Sequence, residues 1–236
     1  MKVDEFKIIP AKERFYADHN WLKTYWLFSF ADYYDPTNIR HGKLRVFNDD
    51  IISSHSGFDT HPHREMEIIT IVLKGAISHK DSMGNESKIH AGEVQRMSAG
   101  TGLTHSEYNN EDEELQLYQI WIFPDKKGLE PSYDQKKFDS SIWKNKIVPI
   151  ASGQGLKDVV SFHTDASIYR CDLEEGKAVE FDTNIDRNLL LYLSKGKLRI
   201  NGESLDEKDQ LRTRGLTKLN IESIEDAEFI LIDVNN

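Results

Sequence analysis

The stretch Gly57-Phe-Asp-Thr-His-Pro-His-Arg-Glu-Met-Glu-Ile-Ile-Thr-Ile-Val-Leu-Lys-Gly75 decides the fold of this chain. Its second half is rich in isoleucine, valine and threonine and ends at a glycine, which is typical of a buried β-strand over residues 67–73. In its first half, His61 and His63 are separated by a single proline. Because side chains alternate between the two faces of a strand, both imidazoles are expected on the same face of a sheet.

Segments with the same strand character recur outward from this stretch. They are short and are separated by glycine, asparagine, aspartate and serine; the clearest cover residues 87–97, 115–123, 167–173, 188–193, 197–201 and 227–233. The run Asp81-Ser-Met-Gly-Asn85 has the composition of a hairpin turn. This spacing predicts an all-β barrel or sandwich in which helices are secondary.

The length of the chain predicts two lobes. At 236 residues it is long enough for one large or two ordinary domains. Residues 124–146 are polar and aperiodic, which predicts a surface linker and a boundary near residue 140. A weak internal repeat relates Phe58–Arg64 to residues 181–187, although the matches need gaps and chance similarity also explains them.

Composition excludes several classes of protein. Hydrophobic residues make up 38% and charged residues 30%, which is ordinary for a globular chain. The net charge of −10 disfavours a polyanionic partner such as nucleic acid. A single cysteine, the lack of a signal-like apolar run near the start and the lack of any apolar stretch of about 20 residues predict a cytoplasmic protein that does not span a membrane.

The histidines point to a metal site in the first lobe, since eight of the nine lie at or before residue 105. His105 and Glu107 repeat the two-residue spacing of His61 and His63. If the two pairs meet inside a small barrel, three imidazoles and one carboxylate suit a mononuclear transition metal with positions left for substrate or O2. The spacing alone is not specific, because such pairs also arise on solvated surface strands.

Three motifs carry a family resemblance. Together with the opening stretch, His79-Lys-Asp-Ser-Met-Gly-Asn85 and Gln95-Arg-Met-Ser-Ala-Gly-Thr-Gly-Leu-Thr-His-Ser-Glu-Tyr-Asn109 resemble the pirin family over roughly residues 15–138. The resemblance implies a bicupin: two tandem antiparallel β-barrels of the jelly-roll type with few short helices. On this basis residues 1–139 form an N-terminal cupin barrel that carries the metal site, and residues 140–236 form a C-terminal cupin barrel without metal.

The resemblance also implies the ligands. In pirins a metal, usually iron, is held by residues that map onto His61, His63, His105 and Glu107. The general cupin pattern would instead use a glutamate near the position of Glu67, and we favour Glu107. The second-lobe counterparts include no histidine; they are Asn184, Asp186, Lys218 and Asn220. His79 is expected to be a hydrogen-bonded structural residue.

The function implied is that of a quercetin 2,3-dioxygenase (flavonol 2,4-dioxygenase), which opens the heterocyclic ring of quercetin with O2 and releases carbon monoxide. Glu107 would then be both ligand and general base. The partners expected are a small planar phenolic substrate and O2, and the metal is iron, with copper, nickel, cobalt, manganese or zinc as alternatives. The alternative function is a metal-binding redox-sensing or regulatory module with a protein partner and without turnover, while a cupin sugar isomerase has support only from the fold.

Overall fold

The computed structural model describes residues 5–236. Its strands, in chain order, are β1 (Glu5–Ile9), β2 (Phe15–Asp18), β3 (Leu22–Trp26), β4 (Leu44–Ile52), β5 (Ser56–His63), β6 (Glu67–Lys74), β7 (Ala76–Asp81), β8 (Glu86–His90), β9 (Glu93–Ser98), β10 (Leu103–Asn109), β11 (Leu115–Ile122), β12 (Ser132–Lys137), β13 (Val148–Ser152), β14 (Val160–Ser161), β15 (Ala166–Leu173), β16 (Ala178–Asp182), β17 (Asn188–Ile200), β18 (Glu203–Leu205), β19 (Gln210–Arg214) and β20 (Lys218–Val234). In the described part of the chain, helix is limited to the 3₁₀ turns Ala11–Glu13 and Ser140–Trp143. The predicted all-β jelly-roll fold is therefore confirmed. None of the helical segments within residues 5–236 has the length and apolar character needed to cross a membrane.

The chain divides into two compact units. Unit I comprises Phe15–Phe138 and Val160–Thr164, and unit II comprises residues 5–14, Asp139–Val159 and Asp165–Asn236. The change of unit at residue 139 falls beside the boundary drawn from sequence. Residues 5–14 differ from that division, because β1 pairs along its whole length with β19. The assignment of residues 1–139 and 140–236 to separate domains stays a prediction.

Unit I is built from two antiparallel sheets. One has the order β12-β9-β6-β11-β4-β3-β2, and the other has the order β5-β10-β7-β8. The sheets face each other, since Glu107 of β10 accepts a hydrogen bond from Gln119 of β11. β6 lies in the interior of the larger sheet, where its β-branched side chains pack well on both faces of the pleat.

Two of the apolar clusters formed by the described residues lie inside unit I. One contains Leu22, Ile52, Val72, Ile77, Ile89, Leu115 and Leu117. The other contains Ile68, Met97, Ala99 and Leu103. Along β6, Val72 belongs to the first cluster and Ile68 to the second, and Thr70 lies between them on the same face. A polar zone therefore separates the two clusters inside this unit.

Unit II has a continuous apolar interior. The strands β1, β19, β17, β20, β15 and β13 follow one another in a sheet, while β16 pairs with β20 and β18 pairs with β17. Leu191, Phe229 and Leu231 are among its fully buried residues. Cys171 is buried in the same cluster, and burial raises the pKa of its thiol to about 12, so it is an inert core residue.

Three predictions about local structure were wrong in detail. The segment 87–97 is two strands, because the chain turns at Gly92, where φ is +84°. The predicted linker 124–146 contains β12, which pairs with β9. Its polar composition reflects an outermost strand in which Tyr133 and Gln135 make side-chain hydrogen bonds. The segments 188–193 and 197–201 belong to one bent strand, β17, with register shifts around Lys195.

Candidate metal centre and adjoining cavity

Antiparallel pairing of β5 with β10 brings the two predicted ligand pairs together. His61 lies opposite His105, and the register shifts before Glu107, which lies opposite Phe58. Phe58 and His61 are three residues apart in β5, but their partners Glu107 and His105 are only two residues apart in β10. The extra residue gives β5 a bulge over residues 59–60. The bulge leaves Phe58, His61 and His63 lining the same cavity as Glu107.

A glycine permits this close pairing. A Cβ atom on Gly57 would lie 2.2 Å from the backbone oxygen of Glu107, well inside van der Waals contact. Only glycine therefore lets β5 approach β10 at the level of the carboxylate. Gly57, the first residue of the stretch 57–75, therefore has a physical role in the fold.

Three imidazoles converge at the centre of this pairing. The ligand nitrogens of His61, His63 and His105 all lie within 4.8 Å of one another. The ring of His61 is centred 4.8 Å from that of His63 and 4.5 Å from that of His105. His105 is buried and the other two are half-buried, so the cluster lies at the wall of the interior rather than in bulk water.

Hydrogen bonds fix which nitrogen of His61 carries the proton. Its Nδ1 lies 2.7 Å from the backbone oxygen of Asp59, within the bulge. A carbonyl oxygen only accepts, so Nδ1 donates and the Nε2 atom of the neutral ring keeps a free lone pair. The bulge thus both positions and orients this imidazole.

A second chain of contacts orients His105 from the other side. Burial alone would raise the pKa of Asp81, but hydrogen bonds from Asn85 and His79 outweigh it and hold the pKa below its ordinary value. The carboxyl is therefore an ionised acceptor, and it accepts a hydrogen bond from His79 Nε2 at 3.1 Å. His79 Nδ1 is then an acceptor, and it lies 3.5 Å from His105 Nδ1. His105 donates through Nδ1 and keeps the lone pair on Nε2.

The result is a pair of lone pairs that face each other. Nε2 of His61 and Nε2 of His105 are 3.0 Å apart. In the neutral tautomers assigned above, in which each ring donates through Nδ1, neither Nε2 atom carries a proton. Two such atoms repel unless a cation lies beside both of them. The donor set therefore fits a metal ion bound by imidazole, as the sequence predicted.

Burial keeps the cluster ready for a cation near neutral pH. It lowers the pKa of His63 to about 4, with the neighbouring His61 adding to the effect. Burial, followed by the nearby His61, His63 and His79, lowers the pKa of His105 to about 2. Both rings are neutral at pH 7, and a metal does not have to displace a proton from either of them.

Glu107 lies beside the cluster, within a second potential ligand group. Its carboxylate falls within 4.8 Å of the ligand atoms of His79 and His105, and this group shares only His105 with the first one. Oε2 accepts from Gln119 at 2.8 Å, and Oε1 accepts from Thr70 at 3.5 Å. Full burial raises the pKa of Glu107 to about 7. The carboxylate is thus held against the opposite sheet, next to the three converging rings.

Glu67, the alternative carboxylate, is engaged elsewhere. It accepts a hydrogen bond from Ser98 Oγ at 2.6 Å and lies beside Arg96. It belongs to neither potential ligand group. Its neighbour Ile68 faces the interior, so Glu67 points to the other face of β6.

A cavity of about 250 Å³ opens next to the cluster. Its walls combine apolar and aromatic side chains with a few polar groups; they are Leu22, Trp26, Phe30, Asn48, Asp50, Phe58, His61, His63, Glu107, Gln119 and Trp121. Such a lining is typical of a site for a small, mostly apolar ligand. Of the predicted site residues, His61, His63 and Glu107 line the cavity, and His105 contacts His61 behind them.

Sequence reasoning missed two groups of residues here. His79 is hydrogen-bonded, as predicted, but its partners make it the group that orients His105. The signal was present in its spacing to Asp81, two residues on in β7, which places both side chains on one face. The polar residues of β4 gave no comparable signal, since Asn48 and Asp50 lie in a segment that did not stand out as a site.

Known proteins similar to this chain agree with the geometry of the site. Residues 9–122 match the family model named Pirin, and residues 149–234 match one described as the quercetinase C-terminal cupin domain. A protein of Escherichia coli (strain K12) named quercetin 2,3-dioxygenase is 42% identical over 226 residues, which cover 95% of this chain and 96% of that protein. A pirin-like protein of Caulobacter vibrioides is 42% identical over 218 residues, which cover 92% of this chain and 94% of that protein.

Solved structures agree with these relationships. The crystal structure of the bacterial pirin YhhW of Escherichia coli in complex with nickel(II) superposes with a TM-score of 0.92 at 38% identity, covering 98% of this chain and 99% of that one. The likeness extends over both units and includes the bicupin architecture. With identities of about 40% along almost the whole chain, this protein belongs to the pirin family.

Proposed function

We propose that this protein is a metal-dependent dioxygenase that cleaves a flavonol such as quercetin with O2 and releases carbon monoxide. The observation that carries the proposal is the convergence of the imidazole nitrogens of His61, His63 and His105 beside a cavity with aromatic walls. The relative named quercetin 2,3-dioxygenase supports the choice of substrate class.

His61, His63 and His105 would hold a single transition-metal ion, with Glu107 as the fourth protein ligand. Iron is the metal we favour, and nickel, copper, cobalt, manganese and zinc suit the same donors. When bound, the ion would acidify the 3-hydroxyl of the flavonol and provide the one-electron chemistry that lets the ring react with O2.

Glu107 would act as the general base. Because its pKa is raised to about 7, a large fraction of the carboxylate is ionised at neutral pH yet still basic enough to take a proton. The proton would pass from the oxygen of the substrate's 3-hydroxyl to a carboxylate oxygen of Glu107. Gln119 and Thr70, which now hold that carboxylate, would orient it between the ion and the substrate.

The aromatic walls would bind the rest of the substrate. Trp26, Phe30, Phe58 and Trp121 line the cavity, and Trp121 packs edge-on against Phe30 with ring centres 5.3 Å apart. A planar bicyclic ring stacked among these side chains excludes water and is presented to the histidine cluster in one orientation.

Metal loading followed by incubation with quercetin tests the proposal. Protein purified without added metal is analysed for metal content and is then mixed with quercetin under air and under nitrogen, with absorbance and carbon monoxide recorded. We expect oxygen-dependent bleaching with release of carbon monoxide. The H61A/H63A double variant should contain no bound metal and should leave quercetin intact, whereas H90A, which changes an exposed histidine, serves as the matched control.

The variant E107Q separates the two roles of the carboxylate. It should retain part of the metal but lose turnover by at least about a hundredfold, the usual contribution of a positioned base. Equal loss of metal from E107Q and from H61A/H63A would contradict the base role. A protein that binds metal yet never consumes quercetin would support the regulatory alternative with a protein partner. A cytoplasmic location is part of the same proposal.

A further inference from the structure

Buried polar atoms without hydrogen-bond partners gather on one face of unit I. The side-chain oxygens Thr24 Oγ1, Asn48 Oδ1 and Asp50 Oδ1 and the amide oxygen Gln95 Oε1 have none, although all four residues are nearly or fully buried. Native proteins satisfy the great majority of such groups. Their concentration on neighbouring strands therefore calls for a functional explanation.

The sheet register places these residues in two adjacent rows. Asn48 of β4 lies opposite Trp26 of β3 and Gln119 of β11, and Asp50 lies opposite Thr24. Because Asn48 and Asp50 are two residues apart in one strand, their side chains project from the same face. That face is the cavity wall, since both residues line the cavity together with His61, His63 and Glu107.

A ligand that binds at Asn48 and Asp50 would have to supply a hydrogen-bond donor. Asn48 Oδ1 and Asp50 Oδ1 are both acceptors, and within the described chain neither makes a hydrogen bond of ordinary geometry. Burial raises the pKa of Asp50 to about 7; the Thr24 hydroxyl opposes this rise without offsetting it, and the neighbouring carboxyls of Asp49 and Glu107 add to it. An aromatic hydroxyl supplies a donor on a flat ring that fits between the walls described above.

We infer that Asn48 and Asp50 form a hydroxyl-binding subsite, which selects phenolic ligands that carry a further ring hydroxyl over ligands that lack one. The inference rests on the proposed function for the chemical class of the ligand. It does not depend on turnover. The cost of leaving two acceptors unpaired in the free protein is recovered when a ligand hydroxyl donates to them, and a ligand without that hydroxyl leaves them unpaired.

Anaerobic calorimetry with two flavonols tests this inference. Quercetin and 3-hydroxyflavone share the 3-hydroxyl, but only quercetin carries further ring hydroxyls. With the metal-loaded protein under nitrogen, we expect quercetin to bind at least about tenfold more tightly than 3-hydroxyflavone, which corresponds to roughly one net hydrogen bond.

Two variants remove the acceptors while keeping the branched shape of the side chain. In D50L and in N48L, the ratio of the two dissociation constants should fall towards one, because quercetin loses affinity and 3-hydroxyflavone does not. D50N keeps one oxygen and the original shape and should give an intermediate ratio, so the test survives if D50L does not fold. F30L changes an apolar wall of the same cavity and should weaken both ligands by the same factor.

The outcomes are distinct from those of the turnover experiment. An unchanged ratio in D50L and N48L, a wild-type ratio near one, or a failure of both flavonols to bind would overturn the subsite. Tight, hydroxyl-dependent binding of quercetin without its cleavage would uphold the subsite and refute the dioxygenase proposal.

Discussion

Units I and II are both built from antiparallel strands, yet their interiors differ. In unit II, fifteen buried residues, from Cys171 to Leu231, form one continuous apolar cluster. In unit I two smaller apolar clusters lie on either side of Thr70, Gln119 and other polar side chains, and further buried residues such as Phe47 and Tyr118 belong to neither cluster. Unit II fills this interior with apolar side chains, whereas unit I gives part of its interior to the histidine cluster and a cavity.

The positions that match the histidines show how the difference arises. β5 continues through a bulge as far as His63, whereas β16, which contains the Phe181 that the proposed repeat aligns with Phe58, ends at Asp182. Asn184 and Asp186 therefore lie in an exposed turn. Lys218 pairs with Glu180 at 2.7 Å on the surface. The counterparts do not converge, so strand length and a bulge matter as much as residue type.

Core truncation should have its largest effect in unit II. Leu191→Ala removes a fully buried side chain from the continuous cluster and should lower the free energy of unfolding by about 2–5 kcal/mol. Urea unfolding followed by fluorescence measures the change. Leu156→Ala, at an exposed leucine of the same unit, is the control and should change stability by less than about 0.5 kcal/mol. A similar small effect at Leu191 would mean that unit II is not held by this cluster.

Replacing the group that orients His105 should weaken the metal site of unit I. His79→Phe keeps the ring that packs against Tyr133 but removes both nitrogens, so His105 loses its acceptor. Metal affinity should fall about 10–100-fold, as for other residues that orient a ligand. Competition with a chelating dye measures it, and His90→Phe, at an exposed histidine, should leave affinity unchanged. Full affinity in His79→Phe would mean that His105 needs no orienting partner.

Metal affinity should also depend on pH through one group of unit I. Glu107 binds a cation only when deprotonated, and its pKa of about 7 means that protons compete below that pH. Affinity should therefore rise by up to about tenfold per pH unit from pH 5 to 7 and level off above it. His63 and His105 have pKa values of about 4 and 2 and stay neutral across this range.

The variant E107Q should remove most of that rise, because a glutamine has no proton to lose. D50N serves as the comparison, since Asp50 has a similar pKa but is not a proposed ligand, and it should keep the slope. A slope that persists in E107Q would place the titrating group elsewhere in the cavity.

The smallest expected effect concerns the polar zone of unit I. Thr24 Oγ1 is buried without a hydrogen bond of ordinary geometry, and its influence lowers the pKa of the facing Asp50 without offsetting burial. Thr24→Val should therefore leave stability unchanged or raise it by up to about 1 kcal/mol. In contrast, Ser98→Ala removes the hydroxyl that donates to Glu67 and should destabilise by about 1–3 kcal/mol. Thermal unfolding compares the two variants. A marked loss of stability in Thr24→Val would show that its hydroxyl has a structural partner.

Much of the fold followed from residue pattern. The β-branched run after His63 identified β6, and the spacing of His61 to His63 and of His105 to Glu107 placed each pair on one face. The family resemblance supplied the bicupin architecture, which pattern alone left open between barrel and sandwich.

The features that the residue pattern could not predict depend on contacts between strands that are distant in sequence. The pairing of β1 with β19 joins the start of the chain to unit II, and no local signal reveals such a pairing. The bulge in β5, and the oxygen of Asp59 that it turns towards His61, became visible only in the register with β10. The same holds for Asn48 and Asp50, which are distinguished by the hydrogen bonds that they lack.

Anomalous diffraction at the absorption edge of the bound metal tests the central claim most directly. Crystals of the metal-loaded protein should show one strong peak in unit I at bonding distance, about 2.0–2.2 Å, from nitrogens of His61, His63 and His105. A peak at any other group of residues, or none in a protein shown to contain metal, would contradict the account.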